Sequence, residues 1–464
     1  MELSVNYILV ISMFACFIAL LFTGFPIAFV LAGVSIFFTV IGHFCDLYLG
    51  TTTGLEFRSL GLIVQRIYRL MDNWVLVAIP MFIFMGLMLD RTKMAEQMMR
   101  SMEALFGKVA GGLAVVACII GIVLAASTGI IASSIVLLGT ISLPIMLRQG
   151  YNQPLALGTI CASGTLGILI PPSIMLVVMA DQLALPVGDL FMGAVIPGLI
   201  LGFLYILYIL IYGFLKPEQL PLAKDRNPFT WIMVWEALKS LISPVGLILL
   251  VLGSIFLGVA TPTEASGLGA FGTVLLAARH GKLSLQTVRE VTLETFKMTG
   301  FVFAIFVGAS SFALVLRFLG GDEVISMSLM SIPLGSYGVL GLILVVVFIL
   351  GYFLDWIEIT LIILPLIAPV VSQLGLSVEG FGKVENPTLV WFAICIAVCL
   401  QTSFLTPPVG FAIFFVQGIA PKDIQLIQIY KGIIPFVILQ LLGLLLILLW
   451  PELVTWLPAL VYRK

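Results

Sequence analysis

Apolar runs long enough to cross a lipid bilayer follow one another through almost the whole sequence and leave little chain for anything else. A spanning helix needs about 20 mostly apolar residues. Of the 464 residues 61% are hydrophobic and only 10% charged, against about 45–50% apolar and about 25% charged in soluble domains. The sequence therefore reads as an all-α, polytopic membrane protein with short connections and no separate soluble domain. A net charge of −1 gives no reason to expect nucleic-acid binding. The sequence has no HExxH helix, no CxxC pair and no P-loop, so metal hydrolysis, thiol exchange and ATP-driven pumping lack their usual equipment. Cys395 and Cys399 share a helical face and are expected to pack as small hydrophobes.

Ten crossings are expected, at residues 5–22, 26–42, 75–90, 154–185, 190–213, 241–258, 262–278, 297–316, 389–420 and 433–449. Two further tracts, 111–147 and 335–374, are too long for one helix yet interrupted near the middle. In the first the break at 125–134 leaves arms of 14 and 13 residues. At 1.5 Å per residue these are about 20 Å long, against a hydrocarbon core of about 30 Å. Both tracts are read as re-entrant hairpins, sheltered by protein because irregular backbone is not tolerated against lipid. With the N-terminus in the periplasm, 15 of the 22 Lys and Arg fall on the cytoplasmic side, and Arg58, Arg66, Arg69, Arg317, Lys383, Arg463 and Lys464 fall on the other. That asymmetry favours both termini outside the inner membrane. Residues 56–72 and 229–242 mix basic and apolar residues in the manner of amphipathic helices lying in the interface.

The sequence also repeats. Pro26 and Gly33 recur as Pro262 and Gly269, and Pro171-Pro172 recurs as Pro407-Pro408, all at an offset of 236 residues; Pro144 and Gly150 match Pro369 and Gly375 at 225. The expected organisation is a first repeat over 1–215, an interfacial linker or arm helix over 216–240, and a second repeat over 241–464. Five crossings per half would invert the second relative to the first, the arrangement that alternating access uses with its site at the repeat interface.

Proline in a helix removes an amide hydrogen bond and clashes with the preceding turn, so the double prolines should break crossings four and nine. Each break frees carbonyls, which suit a small cation, and amides, which suit a carboxylate. Ser163, Thr165 and Ser173 gather at one break, Thr402, Ser403 and Thr406 at the other. The first hairpin tip offers Ser127, Thr128, Gly129, Ser133 and Ser134, oxygens that fit dehydrated Na⁺ better than a proton relay. In the second, Asp355 and Glu358 are intramembrane carboxylates, read as ion ligands or proton carriers, or as interface residues paired with Arg317 or Lys383. Candidate substrate contacts are Ser127, Thr128, Ser163, Thr165, Ser173, Asp355, Thr402, Ser403 and Thr406. Glu264 is read as a first-turn acid at a helix start or a coupling residue. Asp181 and Asp189 are read as solvated, or as docking contacts for an external partner.

GVATPTEASGLG (258–269), VAIPMFIFMG (77–86), ILIPPS (168–173), the Pro-x5-Gly-Tyr ending at Tyr151, and TPPVG (406–410) together resemble the large membrane subunit of tripartite ATP-independent periplasmic (TRAP) transporters over nearly the whole chain. The resemblance implies the fold of the divalent-anion sodium symporters and an elevator-type mechanism. It also implies uptake of an organic acid, a carboxylate or sialic-acid-like anion, handed over by a periplasmic binding protein and driven by Na⁺. Carried over to this chain, it places one Na⁺ among Ser127, Thr128, Gly129, Gly167, Ile170 and Pro172, and another among Gly351, Asp355, Ser403, Thr406 and Val409. A separate four-helix membrane subunit is expected as partner. Residues 74–213 and 297–449 would contain the mobile core. The rivals are a stand-alone anion/Na⁺ symporter that uses no binding protein, a channel or scaffold, and a membrane-embedded enzyme; no nucleophile, base and orienting residue cluster on one face to support the last.

Overall fold

A computed structural model describes residues 2–106, 109–128, 131–222, 230–376, 378, 384, 386–408 and 410–462, and all regular structure among them is helical. The first two helices, α1 (Glu2–Leu21) and α2 (Ile27–Leu49), are parted where Gly24 adopts a positive φ and Pro26 caps the second. A short 3₁₀ turn leads into α3 (Gly61–Asp72), which buries no residue and exposes Val64, Tyr68 and Met71, as expected of a helix lying in the interface. Asn73 then caps a turn that runs into α4 (Ala78–Arg91), followed by α5 (Met94–Phe106).

The first hairpin is α6 (Gly112–Thr128) and α7 (Ile131–Gln149). Next come α8 (Gln153–Thr165), α9 (Ile174–Gln182) and α10 (Val187–Leu215). The second half opens with α11 (Trp231–Phe256) and α12 (Pro262–Arg279), then α13 (Leu285–Phe318) and α14 (Gly321–Met330). Its hairpin is α15 (Gly335–Leu350), a single turn α16 (Trp356–Glu358), a π-turn over Ile359–Ile363, and α17 (Leu364–Gln373). The chain ends with α18 (Pro387–Leu405), α19 (Phe411–Ile419), α20 (Leu426–Leu449) and α21 (Glu452–Val461).

Among the described residues nine helices are long and apolar enough to cross a membrane. All ten expected crossings coincide with helices, with three adjustments. The hairpin arms are longer than the sequence suggests: α6 and α7 have 17 and 19 residues, because alanine and the small residues around 125–128 continue the helix instead of ending it. The described part of the stretch 229–242 is no separate arm, since Trp231 opens a helix that runs unbroken to Phe256, past Pro244. Crossing eight begins at Leu285 rather than Lys297, capped by the Ser284 hydroxyl accepting from Thr287 N.

Packing relates the halves reciprocally. α2 lies on α13 while α12 lies on α4; α8 lies on α20 while α18 lies on α10. The α8–α20 contact is backbone on backbone, for a Cβ at Gly158 would stand 2.0 Å from the Gly432 carbonyl oxygen and one at Gly432 would stand 1.9 Å from that of Pro154. Beneath it, Tyr205 of α10 accepts from the side-chain amides of Gln401 (3.3 Å) and Gln440 (2.8 Å), joining α10, α18 and α20 in the interior. These buried polar groups meet each other where water is absent, so the bonds fix helix register as well as adding stability.

Candidate functional site: four chain breaks around one cavity

Both double prolines interrupt a crossing as expected. After Thr165 the chain makes a 3₁₀ turn over Leu166–Ile168, passes the cis Pro171-Pro172 bond, and resumes as the nine-residue α9; after Leu405 it passes the cis Pro407-Pro408 bond and resumes as the nine-residue α19. Each break lies against a hairpin. A Cβ on Gly121 of α6 would approach Ser163 Cβ to 2.6 Å, one on Gly164 would approach Ile135 of α7 to 2.3 Å, and one on Gly351 at the second tip would approach Ser403 Oγ to 2.5 Å. Glycine leaves room there for the side chains of the facing element to pack directly on the backbone.

The breaks and tips share a cavity of about 310 Å³. Ile131 and Ala132 bring the first hairpin tip to it, Ile174 the first break, Asp355, Trp356 and Ile357 the second tip, and Phe411 and Phe415 the second break. α4 and α13 close it with Ile83, Lys297, Met298, Phe301 and Val302. Such a volume fits a small organic molecule, and its walls are mostly apolar with one acid, Asp355, and one base, Lys297.

Of the residues singled out in the sequence, Asp355 lines this cavity; its carboxylate accepts from Trp356 N at 2.8 Å, capping α16. The hydroxyls are placed behind the wall. Ser163 donates to Cys118 Sγ (3.1 Å), Thr165 to Ala162 O (2.9 Å) and Ser173 to Ile168 O (2.6 Å). Thr402 donates to Val398 O (2.8 Å), Ser403 to Phe348 O (2.8 Å) and Thr406 to Thr402 O (2.7 Å). A hydroxyl that donates to a carbonyl keeps its oxygen lone pairs, so each remains able to accept a ligand's proton or meet a cation. Gly167, Ile170 and Pro172 are buried at the first break, and Gly351 at the second tip. Ser127 and Thr128 end α6, but their side chains, like Gly129 and Val409 altogether, lie outside the described residues.

Glu358 follows Asp355 by one turn, is 1% exposed, and neither carboxylate oxygen has a hydrogen-bond partner among the described residues. The suggested pairing with Arg317 is not made, because Arg317 Nε binds Asp322 Oδ2 at 3.2 Å; Lys383 lies outside the described residues. Glu264 serves its capping role: it and Thr261 form a reciprocal capping box at the start of α12. The reading of Asp189 as solvated is corrected. It is 2% exposed and accepts from Tyr462 OH, because the chain's last helix folds across it. Asp181 is likewise engaged, accepting from Asn73 Nδ2 (2.5 Å) and Gln182 Nε2 (2.9 Å). Cys399 Sγ meets Leu344 O and both Cys395 and Cys399 are buried, in keeping with packing.

Lys297, Phe301, Phe411 and Phe415 are wall residues the sequence did not mark. Lys297 passes as a loop charge until α13 is seen to begin twelve residues earlier; the phenylalanines are indistinguishable by composition from those facing lipid.

Broken helices and paired hairpins about one central cavity define a membrane-transporter architecture. The crystal structure of the Alcanivorax borkumensis YdaH transporter, described as having an unusual topology, shares this fold, with a TM-score of 0.59 over 86% of this chain and 90% of that one at 13% identity. The sequence profile of the tripartite ATP-independent periplasmic transporter, DctM component, matches residues 14–453, and the chain belongs to that family. Relatives include the C4-dicarboxylate TRAP transporter large permease protein DctM of Vibrio cholerae, 28% identical over 97% of each chain. The ectoine TRAP transporter large permease protein TeaC of Halomonas elongata is 28% identical over 97% of this chain and 99% of its own length. The isethionate TRAP transporter permease protein DctMQ of Oleidesulfovibrio alaskensis is 28% identical over 82% of this chain, which spans 58% of that longer protein.

Proposed function

We propose that the chain is the large permease subunit of a Na⁺-coupled uptake system for an organic acid, working in the inner membrane with a periplasmic binding protein and a small membrane subunit. The observation that carries this reading is the convergence of four chain interruptions on one cavity. Each break ends one helix with free carbonyls and begins another with free amides; α9 and α19 thereby aim positive helix ends inward. The hydroxyls and carbonyls behind Ser163–Ser173 and Thr402–Thr406 form two ligand sets for Na⁺. The first would include Ser127, Thr128, Gly129, Gly167, Ile170 and Pro172, the second Gly351, Asp355, Ser403, Thr406 and Val409. Ser133 and Ser134 flank the first.

Two carboxylates in apolar surroundings favour a cation. An ionised Glu358 without a partner would cost several kcal/mol, so a proton or a Na⁺ must accompany it, and ion binding then orders the second tip. The substrate occupies the cavity with an anionic group toward Lys297. Lys297 and Arg317 lie twenty residues apart on α13, roughly 30 Å along the helix, the thickness of a hydrocarbon core. Lys297 therefore marks the cytoplasmic boundary and the cavity opens inward. The hairpins are re-entrant, the halves are inverted, both termini are periplasmic, and the hairpins and broken helices within 74–213 and 297–449 move as an elevator against the remaining helices, α4 and α13 among them.

The test is uptake into vesicles that contain the full chain with its small subunit and binding protein. An inward Na⁺ gradient should drive accumulation of a dicarboxylate, sialic acid or another organic acid from a panel; transport indifferent to that gradient would remove the coupling. Equal uptake without the binding protein would leave a stand-alone symporter.

A further inference from the structure

A second cavity, of about 330 Å³, lies away from the first, between α3, the end of α13 and the second hairpin. Arg66 and Arg69 reach it from α3 and Arg317 from α13, with Asn73 and Gln182 beside them; Leu361 and Pro365 of the hairpin form its apolar side. Arg66 donates from Nη1 to the Ser310 carbonyl at 3.3 Å, and Arg317 binds Asp322. Among the described residues neither Arg66 nor Arg69 has an ion-pair partner. Even with Asp322 and Asp181 counted, three guanidiniums leave the cavity net positive.

Three arginines do not gather without a counter-charge at no cost. Half burial, and then Arg317 and Arg69 beside it, hold the Arg66 guanidinium below its usual range, and an anion between them would relieve that repulsion. Guanidinium forks bind carboxylate or phosphate through paired hydrogen bonds. The outer face of α3 exposes Val64, Tyr68 and Met71, which sets the arginines at the depth of phosphate headgroups. We propose that Arg66, Arg69 and Arg317 form a second oxyanion site, distinct from the central cavity, that takes one phosphate or carboxylate group. Its walls come from α3 and α13 on one side and from the second hairpin on the other, so an occupant ties the two together.

Two sources supply that chemistry, an anionic phospholipid headgroup or a free anion. The delipidated full chain in detergent is titrated with phosphatidylglycerol, phosphatidylcholine, sodium phosphate or sodium succinate, at fixed Na⁺ and ionic strength. Thermal unfolding is followed by tryptophan fluorescence, and lipid adducts by native mass spectrometry. Phosphatidylglycerol should stabilise the wild type and remain bound, with affinity weakened about tenfold by Arg66→Gln or Arg69→Gln. Arg58→Gln, outside the cavity, should leave it unchanged. Arg69→Lys should recover part of the affinity, separating binding from misfolding. Saturable stabilisation by phosphate or succinate, lost in the same variants, would assign the site to a soluble anion. Phosphatidylcholine acting as well as phosphatidylglycerol, or all four probes treating wild type and glutamine variants alike, would overturn the proposal.

Discussion

In the proposed function, recognition of an anionic substrate turns on Lys297. Among the described residues it is the single base lining the central cavity, and a charge-assisted hydrogen bond contributes about 1.5–3 kcal/mol. Lys297→Gln should therefore raise KM for an organic acid roughly tenfold or more while the fold stays intact, since substitution of an exposed side chain costs about 0.5 kcal/mol or less. Unchanged KM would reduce Lys297 to a boundary charge. At this scale the sequence was partly legible. Asp355 could be picked out because an acid among apolar residues has few innocent explanations. The hydroxyls were found at the right breaks, yet a hydroxyl that turns to a carbonyl in its own helix, as Thr402 does to Val398, differs from a ligand only in side-chain direction, which residue type does not encode.

Helix α8 shows what an element owes to single atoms. Gly158 admits no methyl group, because the obstacle at 2.0 Å is the Gly432 backbone oxygen rather than a side chain that could turn away. Gly158→Ala should cost about 1–3 kcal/mol or more through forced separation of α8 and α20, read as a lowered unfolding temperature of the purified protein. Gly246→Ala in α11, where a Cβ meets nothing within 4 Å, should instead be neutral or slightly stabilising; equal losses would show that helix contact is not the cause. Element boundaries were legible where proline set them, as at Pro26 and Pro262, whereas the Ser284 cap of α13 was missed and the crossing was begun at residue 297. They were misplaced where only a change in hydropathy was available, as between residues 240 and 241, because helix geometry is indifferent to whether its surroundings are lipid or water.

Across the whole molecule, the central cavity has two kinds of wall: tips and breaks on one side, α4 and α13 on the other. If the first group moves past the second, a covalent link between them stops transport without unfolding anything. Cysteines at Ile83 and Ile131, in a chain cleared of its native cysteines, should abolish uptake on oxidation or bridging by mercury and recover it on reduction. Full activity in the linked protein would end the moving-core account. The two broken crossings were legible because paired prolines stand out against any apolar background. The reciprocal packing of α2 on α13 and α12 on α4 was not, since no pattern within one segment names its distant neighbour.

The glycine contact has a mechanical corollary. With no side chain between them, α8 and α20 leave no gap for an acyl chain and no slack in the joint. The opposite flank of α20, with Ile434, Ile438, Leu441 and Leu445 exposed, is apolar and faces away from this joint. A displacement of α20 should therefore carry α8 with it, whose Gly158 lies thirteen residues before Pro171. Two carbonyls, those of Pro154 and Gly432, thus join an outward-facing helix directly to the one that leads into the first break.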